Sequence, residues 1–349
     1  MHIEPRRESL GRARLLAPVV AIAASLALCS VLLAFTKASV GPAYWRMLVG
    51  AFGSPQAIAD TLTRTTPLIF TGLAVAVAFR ARLWNIGAEG QLYTGAVAAV
   101  VVSQSVVGWP SWIALPVVFC AGAVAGGLMF LLAVQLKYRL NVDEVVTTLL
   151  LNFIILLVVS FLIDGPLKDP LSMGWPKSVP VDDSLRLHPL VENSQLTWAL
   201  PLGLLTALAV WVFNARTVWG FEGKVMGANP AAARFAGMPI GMVMARVALL
   251  SGGLAGLAGV SEVLGPRGFI VTDMSPGFGY TGIVVATLAQ LHPLAVVALA
   301  ALVAAIYVGS DSMSHAMGIS NYISEVIVSV SLLAMLVAFF FSQYRIRRG

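Results

Sequence analysis

Residues Val145–Ile163 read VVTTLLLNFIILLVVSFLI, an apolar run without a single charged side chain. As a helix this run is about 28 Å long, close to the hydrocarbon thickness of a bilayer. It reads as a membrane span, and the rest of the chain repeats the pattern. Of the 349 residues, 58% are hydrophobic and only 11% charged, where a soluble domain carries about a quarter. The mean hydropathy of +0.88 describes the whole chain. This composition excludes a soluble enzyme and calls for lipid as solvent. The net charge of +6 does not point to nucleic acid, because Lys and Arg sit in short clusters between apolar runs. Cys29 and Cys120 each lie inside an apolar run, which excludes a disulfide framework and a Cys-built metal site.

Nine further apolar runs occur at Leu15–Phe35, Pro67–Phe79, Leu92–Val107, Trp112–Val134, Leu196–Phe213, Ile240–Val260, Tyr280–Leu291, Pro293–Val308 and Ile323–Phe341. Together they predict an all-α polytopic membrane protein of about ten transmembrane helices, one membrane domain over residues 1–349. The first run follows Arg6, Arg7, Arg12 and Arg14 as a signal peptide would, but its length suits a retained helix. With the N-terminus in the cytoplasm, alternation puts fourteen Lys and Arg inside and seven outside, which satisfies the positive-inside rule with both termini cytoplasmic. Residues 1–14 then form a cytoplasmic tail, 214–239 a cytoplasmic loop and 164–195 an ordered extracytoplasmic cap. Thr36 to Thr66 forms a second outer loop. Pro67–Phe79 and Tyr280–Leu291 are short enough to be re-entrant.

The most unusual stretch is Asn85-Ile86-Gly87-Ala88-Glu89-Gly90-Gln91, two glycines and three hydrogen-bonding side chains within apolar sequence. Unwound backbone at membrane depth survives only where protein or a watery cavity satisfies it. The stretch therefore reads as a helix break lining or supporting a permeation path, or else as a cytoplasmic turn with Glu89 solvated near Arg82. Ahead of Val145, Asn141 reads as a helix cap, with Asp143 and Glu144 complementing the dipole. Asn152 lies two turns past Glu144, and Glu325, early in the last run, is a pathway or interfacial acid. Asn229-Pro230-Ala231-Ala232-Ala233-Arg234-Phe235-Ala236-Gly237 reads as a helix of about two turns, with Asn as cap, Pro first and Gly at the end. So short a helix with an exposed Phe wants a partner, or it is a plain interfacial segment. Gly122 with Gly126, and Gly253, Gly256 and Gly259, permit close helix packing. Tyr93-Thr94-Gly95-Ala96-Val97-Ala98-Ala99 echoes Tyr280-Thr281-Gly282-Ile283-Val284-Val285-Ala286 five spans later, the pattern of an inverted repeat or a chance match. The one Gly-Lys pair, Gly223-Lys224, lacks the rest of a nucleotide-binding loop, and no HExxH or GxSxG occurs.

Taken with Gly227-Ala228-Asn229-Pro230-Ala231-Ala232-Ala233 and Gly277-Phe278-Gly279-Tyr280-Thr281-Gly282-Ile283, the Asn85–Gln91 stretch resembles the permeases of ABC importers. The similarity is to the simple-sugar and nucleoside branch of the branched-chain amino acid/ribose superfamily, and within it to the larger of two permeases for bacterial nucleoside uptake. It runs from about residue 60 to the C-terminus. The resemblance implies a fold like the cobalamin-type importers, with an inverted repeat, in a bacterial inner membrane. It also implies partner ATPase subunits that hold ATP and Mg, an external substrate-binding protein and a second homologous permease, with no cofactor on this chain. On that reading Asn85, Gly87, Glu89, Gly90 and Gln91 belong to the substrate pathway. Gly227, Asn229, Pro230, Ala232, Ala233, Phe235 and Gly237 couple the chain to the ATPase. A proton-coupled carrier using Glu89 or Glu325 is the rival of a different class.

Overall fold

With no water at membrane depth, each apolar run must close its own backbone hydrogen bonds, and the runs fold as helices. A computed structural model describes residues 39–347, together with 2–5, 27, 30 and 31. The expected first span, Leu15–Phe35, falls almost wholly outside the described residues. These contain twelve α-helices: α1 (Val40–Phe52), α2 (Pro55–Arg80), α3 (Ala88–Ser105), α4 (Ser111–Leu140), α5 (Glu144–Asp164) and α6 (Ala199–Arg216) come first. They continue with α7 (Val218–Ala228), α8 (Pro230–Phe235), α9 (Ile240–Glu262), α10 (Phe278–Leu288), α11 (Pro293–Met317) and α12 (Asn321–Gln343). A four-residue antiparallel pairing of His2–Pro5 with Tyr344–Arg347 brings the two ends of the chain together.

Seven helices among the described residues are long and apolar enough to cross a membrane: α2, α4, α5, α6, α9 with its extension to Arg267, α11 and α12. Of the ten spans expected, the first lies outside the described residues, and others differ in extent for physical reasons. Pro67 does not open a short span; it sits inside α2, which runs for 26 residues from Pro55. Within it Thr66 and Thr71 satisfy their hydroxyls along their own helix, Thr66 Oγ1 to Leu62 O at 3.2 Å and Thr71 Oγ1 to Pro67 O at 3.0 Å. By contrast, α10 has 11 residues, about 16 Å, and cannot cross alone. In α3, Glu89, Gln91, Ser103 and Gln104 lower the hydropathy of an otherwise apolar helix. The outer stretch from Thr36 is not merely a loop, since it contains α1 and the start of α2.

The chain divides into two compact units. In Leu62–Ala301, the centre is the packing of α9 against α4 and α3, where glycines let backbones touch. A Cβ added at Gly126 would strike Gly252 O and come within 2.9 Å of Gly256 Cα, and one at Gly256 would strike Gly122 O. One at Gly95 would meet the Gly256 backbone, and one at Gly259 would meet Leu92 O. Small residues thus supply the van der Waals contact that hydrophobic exclusion cannot supply in lipid. The helix α5 shows the opposite habit, with Phe153, Leu157 and Phe161 at four-residue spacing, all exposed on an outward stripe. Residues 164–195 are tied to the chain after α9: Leu187 N donates to Leu264 O at 2.7 Å, Val181 N to Gly268 O at 2.8 Å and Ser178 N to Ile270 O at 3.0 Å. Lys177 pairs with Asp169 at 3.0 Å. The other unit, Met1–Thr61 with Leu302–Gly349, packs Ala43, Met313 and Ile327 at its core. Within it Glu325 is exposed.

The capping expected around residue 141 is reassigned. Asn141, at φ 53°, ends α4 in the left-handed region, whereas Asp143 caps α5 by accepting from Val145 N and Val146 N. Asn tolerates that left-handed turn, and two residues further on Asp stands where its carboxylate reaches the free amides. Glu144 is buried and ion-paired with Lys137.

Candidate functional site

The glycines of Asn85–Gln91 interrupt the helical chain as the sequence suggests: α2 ends at Arg80, the backbone turns, and α3 starts at Ala88 with Gly87 as its cap. A glycine cap has no side chain to offer the first amides of the helix, so these must be satisfied from elsewhere. Asn152 on α5 does this for Gly90. Its Oδ1 accepts from Gly90 N at 2.9 Å, and its Nδ2 donates to Ile86 O at 2.9 Å and to the Tyr280 hydroxyl at 3.1 Å. Asn85 and Gln91 form a reciprocal amide pair, each donating to the other at 2.8 Å. Asn85 also donates to Ser251 Oγ on α9 at 2.9 Å, and Ser251 in turn donates to Ala74 O on α2 at 2.7 Å. The side-chain amides of the break are thus buried and paired, with Asn85, Asn152 and Ser251 at zero exposure.

Glu89 is buried as well, which removes the reading of a solvated turn near Arg82. Its carboxylate accepts from Gly279 N at 2.6 Å. Gly279 lies in the first turn of α10, whose cap is another glycine, Gly277 at φ 86°. A Cβ at Gly279 would strike Glu89 N and lie 2.6 Å from Ala88 C. The N-terminal ends of α3 and α10 thus meet backbone to backbone, with one carboxylate between them. Both ends carry partial positive charge, which the buried Glu89 carboxylate offsets. Ser275 Oγ accepts from Phe278 N at 2.9 Å and completes the α10 cap. Tyr93 OH donates to Thr272 O at 2.7 Å and accepts from Ser275 N at 3.1 Å, fastening α3 to the chain before α10. The echoed segments Tyr93–Ala99 and Tyr280–Ala286 occupy the two helices that meet here.

The second motif folds as the sequence indicates. Asn229 Oδ1 accepts from Ala231 N at 3.0 Å and Ala232 N at 3.1 Å, Pro230 takes the first helical position, and Gly237 at φ 79° turns the chain out of α8. Phe235 is 96% exposed, while Ala233 is buried in a cluster with Ala81, Leu83, Met226 and Ile240. A Cβ at Gly227 would strike Arg80 O and lie 3.0 Å from Ala81 Cα. The two motifs, far apart in sequence, are therefore neighbours: the segment carrying α8 rests on the turn that leads into the break. Alongside, Arg246 bonds Glu222 at 3.1 Å and lies 4.8 Å from the Trp219 ring centre, fixing α7 to α9.

Asn152, noted in the sequence only by its place two turns past Glu144, is the residue whose role sequence reasoning missed. Its one signal was an amide inside an otherwise apolar nineteen-residue run, which is costly unless it has partners. No grouping of His, Cys, Asp and Glu among the described residues could hold a metal ion.

Residues 57–338 match the family model described as branched-chain amino acid transport system / permease component. The glucose ABC transporter permease protein TsgB13 of Haloferax volcanii is 33% identical, covering 100% of this chain and 95% of that protein. The guanosine ABC transporter permease protein NupP of Bacillus subtilis is 33% identical over 95% of this chain and 94% of its own length. The nucleoside ABC transporter permease protein NupB of Lactococcus lactis is 29% identical over 93% and 92%. No solved structure matches the chain significantly.

Proposed function

The chain belongs to the branched-chain amino acid transport system permease family, a multi-pass membrane subunit of an ATP-driven ABC importer, and from that premise we propose that its cargo is a nucleoside, with a simple sugar as the alternative. The guanosine and nucleoside permeases favour the first and the glucose permease the second. On this reading ATP and Mg are held by partner ATPase subunits, since this chain has no nucleotide-binding loop. An external substrate-binding protein delivers the cargo, a second homologous permease completes the path, and both termini lie in the cytoplasm of a bacterial inner membrane. The meeting of α3 and α10 at their N-termini, with the echoed sequences on both, supports an inverted repeat of the cobalamin-importer kind. A discontinuous helix pair at a repeat interface is where such transporters place their path, which gives Asn85, Gly87, Glu89, Gly90 and Gln91 the role of a scaffold beside it.

One observation carries the coupling: α8 presents Phe235 to solvent, while the residues flanking it pack on the turn into the break. A push on α8 from a docked ATPase is thereby delivered to Ala81 and Leu83, six or fewer residues from Gly87. Burying the Phe235 ring in an ATPase groove contributes about 2 kcal/mol. Phe235→Asp should therefore reduce ATPase co-purification and ATP-driven uptake together, while solute binding to the external protein stays unchanged. Full co-purification and uptake by that variant would remove α8 as the docking surface. Uptake driven by a proton gradient without ATP would overturn the energising reading altogether.

A further inference from the structure

Beyond the end of α5 the chain makes a tight projection. Leu167 N donates to Leu162 O in the last turn of α5 at 2.8 Å, and Val179 N donates to Leu167 O at 2.8 Å. Between these bonds the chain runs out and returns, with Lys168 bridged to Ser178 and Asp169 N donating to Lys177 O at 3.0 Å. Asp169 builds the turn. Its Oδ1 accepts from Leu171 N at 2.9 Å, its Oδ2 pairs with Lys177 Nζ at 3.0 Å, and its carbonyl accepts from Ser172 N at 3.1 Å. Met173 at φ 48° and Gly174 at φ 95° then reverse the chain, and Trp175 N closes onto Ser172 O at 2.9 Å.

This frame turns its apolar side chains outward. Leu171, Met173 and Trp175 are 85%, 98% and 77% exposed, whereas Asp169 and Ser172 are buried. In water that arrangement is the wrong way round, and an ordered cluster of exposed large apolar side chains marks a contact surface. From Pro170 to Pro176 no residue is charged, and the charges at the base meet each other in the Asp169–Lys177 pair. The tip can therefore leave water without stranding an unpaired charge.

The start of the projection decides what covers it. It is hydrogen-bonded to the end of α5, the helix whose Phe153, Leu157 and Phe161 form an outward stripe, so it continues the surface that this membrane protein turns to lipid. The same face of the bundle carries exposed Trp109 and Trp112 at the start of α4 and exposed Trp198 just before α6. Gln104 and Ser111 bond to Pro180 O and Ser184 O, each at 3.0 Å, which sets the turn between α3 and α4 beside the chain that follows the projection. Tryptophans gathered at one end of a helical bundle mark the lipid–water boundary, and Trp175 is a fourth. We propose that Leu171, Met173 and Trp175 form a lipid-anchoring finger, whose tip enters the head-group region of the bilayer beside α5. The assignment goes beyond transport and holds for any cargo.

The test places an environment-sensitive nitrobenzoxadiazole probe on Met173→Cys, in a chain whose Cys29 and Cys120 are replaced by serine, within the complete importer in proteoliposomes. Glu192→Cys, exposed elsewhere in residues 164–195, is the reference. Emission from position 173 should be blue-shifted. Lipids spin-labelled near the head group should quench it about twofold, more strongly than lipids labelled at the chain terminus, as the shallow depth of an interfacial segment requires. Position 192 should show neither effect. Adding Leu171→Asp and Trp175→Asp should abolish the quenching at 173, and quenching that persists would mean the probe inserts by itself, which overturns the finger. Water-like emission at 173 also overturns it. A blue shift that neither lipid quenches means that protein covers the tip, and one that arises only on adding the external substrate-binding protein makes it a docking site; both outcomes overturn the lipid assignment.

Discussion

Asn152→Ala tests the idea that the helix break is held from outside itself. The substitution deletes the acceptor for Gly90 N and the donor for Ile86 O, both in non-helical or first-turn backbone with no other partner in the α3 helix, and the donor to the Tyr280 hydroxyl. Two opposing magnitudes bear on the outcome. Side-chain hydrogen bonds between membrane helices average only about 0.6 kcal/mol, because the unfolded state in lipid finds other partners, which gives about 2 kcal/mol for three bonds. A buried backbone group left unsatisfied costs about 1–3 kcal/mol each, and here there are two. The second argument should dominate, since broken backbone at this depth has no helical alternative. We therefore expect a loss of about 2–4 kcal/mol. Thermal unfolding of the detergent-purified subunit, with Asn152→Asp alongside, checks this. Aspartate keeps the acceptor for Gly90 N and loses the donor, so it should fall between native and Ala. A native-like midpoint for Asn152→Ala would refute remote capping and leave the break stable on local interactions alone.

Three further outcomes follow from the same geometry. Gly279→Ala should abolish uptake at normal membrane levels, because its Cβ meets the backbone of Ala88 and Glu89, whereas Gly223→Ala, whose Cβ finds only Val247 Cγ2 at 3.7 Å, should transport normally in the same vesicle assay. Asp169 is held below the usual carboxylate range by the Leu171 amide and Lys177. Its contribution is therefore complete above the ordinary value near 3.8 and is lost as pH falls through the lower folded value. Limited proteolysis of residues 164–195 should show protection that persists through mildly acidic pH, and Asp169→Asn should be cut faster at neutral pH. Single cysteines in residues 164–195 should react with an impermeant reagent in sealed cells while one at Arg234 should not, and the reverse pattern would invert the topology.

What the sequence determined by itself is what depends on composition and on neighbours within a turn or two. A nineteen-residue run without charge has no stable home outside lipid, so Val145–Ile163 alone fixed the solvent. Asn229, Pro230 and Gly237 fixed a short helix because a cap, a preset φ and a left-handed exit act over eight residues. The family motifs were legible for the same reason, being contiguous. The tertiary structure decided everything that joins distant residues. It made Asn152, 62 residues from Gly90, the cap of a helix that starts at a glycine. It set Glu89 between two helix ends whose partners are 190 residues apart, and so turned a possible solvated turn into a buried junction. It carried α2 back to Pro55, through a stretch whose Thr66 and Thr71 are satisfied along their own helix. Asn141 and Asp143 show the limit most simply. Both are good caps by residue type, and only the path of the backbone between α4 and α5 chose the one whose carboxylate faces the free amides.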